Sequence, residues 1–182
     1  MRASGPTEEV SNQYKFQSDT TIGRQLAEEN VGRSFNRWGS HEIEITGVRF
    51  LNADGIEQSY YQTGEEMTVE IASMAHEPVP KPEFGLAIFR QDGQQVNGPN
   101  SQLAGLEVGT IEGAGTVRYH IKELLLLPSL YQVTTAIHNT QLTHAYDYHE
   151  LAYPFRVVTG GTNETDGLVA LPSNWTWQKD ST

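Results

Sequence analysis

The stretch HAYDYHELAYPFRV at residues 144–157 gathers most of the side chains in this chain that could do chemistry. Imidazoles, phenols and carboxylates crowd its first half, and alternating apolar residues carry its second half into a strand. Rings, donors and acceptors held at the rim of a rigid sheet suit a sugar: flat sugar faces stack on aromatic rings, and hydroxyls pair with planar polar groups. Other chemistries compete for the same residues. Glycosidic hydrolysis would need Asp147 and Glu150 to flank the bond as a carboxylate pair. A zinc ion would need His138, His144 and His149 to converge with a carboxylate, and loop spacing of this kind does not define such a site. Asn52-Ala-Asp54-Gly55 lacks the remaining ligands of a calcium loop and reads as a turn. No nucleophile elbow is present, and Gly109, Gly113 and Gly115 fall between strands with no helix to hold phosphate. The sequence therefore calls for binding, with no catalytic residue, no metal and no cofactor.

These residues are positioned by strands. Residues 41–50 alternate, with Ile43 and Ile45 on one face, until Gly47 shifts the phase to Val48 and Phe50, as a bulge would. Met67, Val69 and Ile71 alternate, as do Phe84, Leu86 and Ile88, then Val117, Tyr119 and Ile121. Tyr131, Val133, Thr135 and Ile137 follow, then Tyr153, Phe155 and Val157. Asp54-Gly55 and Asp92-Gly93 mark turns. Pro78, Pro80 and Pro82 read as a stiff extended connection. Period-two runs separated by turns predict an all-β sandwich over residues 38–182. Tyr131 opens its strand just after Pro128, in the position of a tyrosine corner. Residues 1–37 are polar and read as a flexible linker, with a short helix at 18–29 as the alternative. The apolar piece 167–172 reads as a terminal strand, on its own sheet or on a neighbouring subunit.

Composition narrows the partners. The formal net charge of −11 over 182 residues argues against nucleic acid and anionic lipid, which need clustered cations. There is no cysteine, hence no disulfide framework. No apolar run is long enough to span a bilayer and none at the start is of signal-peptide type, so direct membrane insertion is not expected.

The strands 84–90, 130–138 and 152–158 are expected to be neighbours, turning Gly85, Ala87, Phe89, Gln132, Thr134, Ala136, His138, Pro154, Arg156 and Val158 outward. Gly and Ala leave floor space. Phe89, Gln132, Thr134, His138 and Arg156 supply a ring and hydrogen-bonding groups. Tyr146, Asp147 and His149 would border this tray from the adjoining loop, and Asn97 and Asn100 would add amides.

Several pieces in order, RWGSHEIEI at 37–45, FGLAIFR at 84–90, VNGPNS at 96–101, LPSLY at 127–131, HAYD at 144–147, FRV at 155–157 and GLV at 167–169, resemble a known family. It is the C-terminal glycan-recognition domain of the ATP-binding subunit of O-antigen polysaccharide ABC exporters, the Wzt C-terminal domain. Ser129-Leu130 departs from it, where a Gly usually precedes the Tyr. The resemblance implies an all-β, immunoglobulin-like or jelly-roll antiparallel sandwich that forms a homodimer, partly by exchanging its C-terminal strand. It implies binding of finished O-antigen polysaccharide before export, with the transporter's ATPase and membrane subunits as partners. The place implied is the cytoplasmic side of the inner membrane. The ATPase domain it expects upstream is not in this chain. A rival reading has the same face meet another protein, with Phe89, Val158, Trp175 and Trp177 as apolar contacts.

Overall fold

The structure, a computed structural model, describes residues 36–180. The expected linker up to residue 35, with the alternative helix at 18–29, lies outside the described residues. Nine strands follow in chain order: β1 (Asn36–Trp38), β2 (Ile43–Leu51), β3 (Tyr60–Gln62), β4 (Met67–Val79), β5 (Glu83–Arg90), β6 (Gln95–Asn97), β7 (Ile111–Ile121), β8 (Ser129–His138) and β9 (Ala145–Val158). One sheet has the order β1-β9-β8-β5-β6, with β3 also lying along β9; the other has the order β2-β4-β7. Every pairing is antiparallel except that of β3 with β9. No helix occurs among the described residues.

The expected alternation supplies the core. Met67, Val69 and Ile71 from one sheet are buried, as are Phe84, Ile88, Tyr131, Val133, Ile137, Phe155 and Val157 from the other. Phe155 is the centre of an aromatic knot, 5.4 Å from the rings of both Phe50 and Tyr131 and 6.3 Å from that of Tyr61. Burying each such side chain is worth about 1.5–3 kcal/mol, and this offsets the entropy of ordering the strands. The phase shift at Gly47 is a register shift between β2 and β4. Gly93 turns with φ 84° and donates its N–H to the Arg90 carbonyl. Tyr131 donates its hydroxyl to the Leu127 carbonyl at 2.7 Å, so the tyrosine corner is formed.

Four details differ from expectation. The sheet begins at Asn36 rather than Trp38, because Asn36, Arg37 and Trp38 pair with Glu150, His149 and Tyr148. Pro78 belongs to the end of β4, and the reversal lies at residues 80–82, where Lys81 takes φ 46°. Residues 145–151 belong to β9 rather than to a loop. Finally, β9 carries a wide bulge: Val133 faces Tyr153 and Thr135 faces His149, so residues 150–152 oppose Thr134 alone. The two extra residues keep His149 and Tyr153 on the same inward side. Leu151, at φ 47°, donates its N–H to Thr134 Oγ1 at 2.9 Å. Gln132 Nε2 donates to the Leu151 carbonyl at 3.1 Å.

Within the single chain the terminal apolar piece runs beside residues 125–127. Leu127 N–H donates to the Leu168 carbonyl and Ala170 N–H to the Leu125 carbonyl. Past Ala170 the chain runs extended, with Leu171, Trp175 and Trp177 exposed.

Candidate functional site

The outward face of β5, β8 and β9 holds an open groove of about 300 Å³. Register builds its floor. Gly85, Ala136 and Tyr148 lie side by side; Ala87 is beside Thr134; Phe89, Gln132 and Pro154 form the next row. The small residues let a ligand approach the backbone. One wall is the segment 99–101, which runs along β5: Leu86 N–H donates to the Pro99 carbonyl, and Ser101 N–H to that of Phe84. This seats Asn100 opposite Gly85. The other wall is Leu142, on a turn whose Thr143 and His144 N–H groups donate to Asn139 Oδ1.

Rings mark both ends. Phe89 stands at one end. At the other, Tyr148 stacks on Trp38, centroids 4.7 Å apart and planes 17° apart, and meets His138 edge-on at 6.2 Å. Burial, then the neighbouring His144, pushes the His138 pKa down, so its ring is neutral near pH 7. Glu83 lines the same end, 8% exposed, and accepts from Ser101 Oγ at 2.6 Å.

The structure brings together only part of the expected set. Phe89, Asn100, Thr134 and His138 line the groove. Thr134 is nevertheless 4% exposed and accepts from Leu151 N–H, so it shapes the floor more than it offers hydrogen bonds; Gln132, which donates to the Leu151 carbonyl, lies outside the lining. Asn97, on β6, and Tyr146, whose ring packs edge-on against His144, lie outside it. Arg156 faces outward beside Leu130, one row past Pro154 and away from the groove. Val158 is buried rather than outward.

Asp147 and His149 require a larger correction. They point inward from β9, with Asp147 wholly buried and His149 nearly so, and cannot border a surface site. Arg37 grips Asp147 with both ends of its guanidinium, at 2.9 and 2.8 Å, and Ile45 N–H donates to the same carboxylate at 2.7 Å. Burial raises the Asp147 pKa, but Arg37, Ile45 and His149 together outweigh it and hold it below the usual carboxylate range. His149 Nε2 is 3.2 Å from that carboxylate, and its Nδ1 is 2.6 Å from the Tyr153 hydroxyl. The pair required for hydrolysis does not form either: Asp147 is inside, while Glu150 is exposed and accepts from Asn36.

Two residues important to the site were missed, Tyr148 and Trp38. Strict alternation from Tyr153 back across the bulge would have placed Tyr148 outward, and pairing with Trp38 needed the β1 register.

Comparison with known proteins agrees with this architecture. The family described as the Wzt C-terminal domain matches residues 34–171. A crystal structure of the C-terminal domain of Wzt superposes with a TM-score of 0.71 at 17% identity, over 80% of this chain and 89% of that one. At such identity the likeness is one of fold. A calcium-binding mutant of Bacteroides uniformis beta-glucuronidase 2 gives a TM-score of 0.46 at 13% identity, over 64% of this chain and 14% of that one. A second Bacteroides uniformis beta-glucuronidase structure gives 0.42 at 13%, over 57% and 13%. Neither bears on the chemistry of this chain. No curated protein matches the sequence.

Proposed function

Because the chain belongs to the Wzt C-terminal domain family, we propose that it is a non-catalytic carbohydrate-binding domain that selects O-antigen polysaccharide for ABC-transporter export. The observation that carries this reading is the groove: a floor of Gly85, Ala87 and Ala136 between Phe89 and the Tyr148–Trp38 stack. Sugar rings lie on such a floor with an apolar face against each aromatic end, while Asn100, His138 and Glu83 meet the hydroxyls. Titrating the O-polysaccharide of the source organism into the protein should give saturable heat. Tyr148→Ala and Phe89→Ala should each weaken it several-fold, and Arg156→Ala should leave it unchanged. No heat with the matched glycan would overturn the reading.

The domain acts, in this reading, as a homodimer within the transporter at the cytoplasmic face of the inner membrane. Leu171, Trp175 and Trp177 support the pairing, since Trp175 is 100% and Trp177 83% exposed in the single chain. Two grooves presented to one long polymer raise avidity without a new contact. Truncation after Pro172 should convert a dimer to a monomer in light scattering; an unchanged mass would remove the tail from the interface.

A further inference from the structure

Resting on the glycan reading of this groove, we propose that the site is selective for uncharged sugar units and rejects acidic ones, with Glu83 as the acceptor of ligand hydroxyls. Among the described residues that line the groove, the one formally charged side chain is acidic, Glu83. Glu83 shares its side of β5 with Gly85 and Ala87, so its carboxylate closes one end of the floor. Ser101 occupies one carboxylate oxygen, and a carboxylate has about four lone-pair sites to offer. His138, beside Glu83 in register, is neutral and supplies no compensating cation. Among the described residues, none that lines it is Lys or Arg. Of the nearby cations, Arg90 pairs with Asp92, Arg156 lies beyond Pro154, and Lys81, on the reversal before Glu83, lines a separate cleft with Thr140 and Tyr146.

A phosphate or uronate placed here would lose water beside a like charge without gaining a counter-ion. A neutral sugar hydroxyl instead donates a charge-assisted bond to Glu83. The net charge of −11 adds a longer-range repulsion of the same sign.

The test is calorimetry and array binding with the full chain. The probes are neutral hexose, deoxyhexose and N-acetylhexosamine oligosaccharides, together with phosphate-bearing and uronate-bearing versions of the same chains. Neutral members should bind saturably and their acidic versions at least about tenfold more weakly. Glu83→Gln should weaken the neutral ligand by about tenfold, the value of a hydrogen bond to a charged group. Because Glu83 also holds Ser101, Ala87→Lys serves as a second variant: it adds a cation to the floor and should narrow or reverse the preference. Acidic probes bound as tightly as neutral ones, or a preference unmoved by Ala87→Lys, would overturn the selectivity and leave the glycan reading standing. Binding of none of the probes would overturn both.

Discussion

The sharpest quantitative prediction concerns Arg37, which ties β1 to the buried carboxylate of Asp147. Arg37→Ala removes two hydrogen bonds at 2.9 and 2.8 Å and leaves Asp147 with Ile45 N–H, His149 and, at 3.8 Å, His41. Stripping one partner from a fully buried ion pair costs about 3–5 kcal/mol. Here the Arg37 side chain is 36% exposed, so water screens the pair and relieves part of the loss, and about 2 kcal/mol is the reasonable figure. The second, exposed contact of Arg37 with Glu44 adds little. For a domain of this size about 2 kcal/mol lowers Tm by roughly 4–8 °C. Scanning calorimetry at pH 7 reads this directly. Arg37→Lys should fall in between, since an ammonium keeps the charge but cannot span both carboxylate oxygens. Combining Arg37→Ala with Asp147→Ala should cost less than the two single losses added, by about 1 kcal/mol or more. A Tm drop under about 1 °C for Arg37→Ala, or strict additivity in the double variant, would refute the view that this pair anchors β1.

Three further outcomes follow from the geometry. Tyr131→Phe leaves the Leu127 carbonyl without its 2.7 Å donor and should cost about 1–2 kcal/mol, read as a lower urea midpoint at unchanged slope. Gly39→Ala would put a Cβ 2.3 Å from the Tyr146 carbonyl oxygen at φ 151° and should destabilise by at least about 2 kcal/mol. Its readout is faster hydrogen exchange across β1, and protection equal to the parent would contradict it. Stability should also fall with acid. His149 is held neutral chiefly by burial and Asp147 is held ionised, both pKa values lying below their unfolded ones. Their contributions are present above the unfolded values, about 6.5 and about 3.9, and are lost as pH falls through the lower folded ones. A Tm profile flat from pH 7 to 4 would contradict this.

The sheet was legible in the sequence because its signal is local. Ile43, Val69, Leu86, Val133 and Phe155 announce their inward face through alternation, and Tyr131 announces its corner through the turn before it. The neighbour relation of β5, β8 and β9 followed from the same pattern, so the face carrying Gly85, Ala87 and Phe89 was found in advance. The side of Asp147 and His149 was not legible. Reading 144–151 as a loop severed them from the alternation of β9, and their polar character then suggested the surface. What holds such groups inside is a long-range partner, Arg37, more than a hundred residues away. Polar type alone does not distinguish a buried, satisfied carboxylate from an exposed one.

The bulge at residues 150–152 explains why one strand serves two purposes. On its inward side β9 sends Asp147 and His149 to lock β1 through Arg37, and farther on sends Phe155 into the aromatic knot. On its outward side it sends Tyr148 to stack with Trp38 at the end of the groove. Two inserted residues preserve the inward parity, while Thr134 and Gln132 bond to Leu151 and hold the insertion down. Polar residues whose types suggest ligand contacts therefore set the shape of the groove from beneath and behind, and the small floor and the rings they position are what the proposed glycan would meet. Thr134→Val keeps the size of that side chain but removes the acceptor of Leu151 N–H. It should loosen the bulge, seen as faster hydrogen exchange at Leu151, and weaken glycan binding without any lost ligand contact. If binding survived while Leu151 lost protection, the bulge would be a feature of the fold alone.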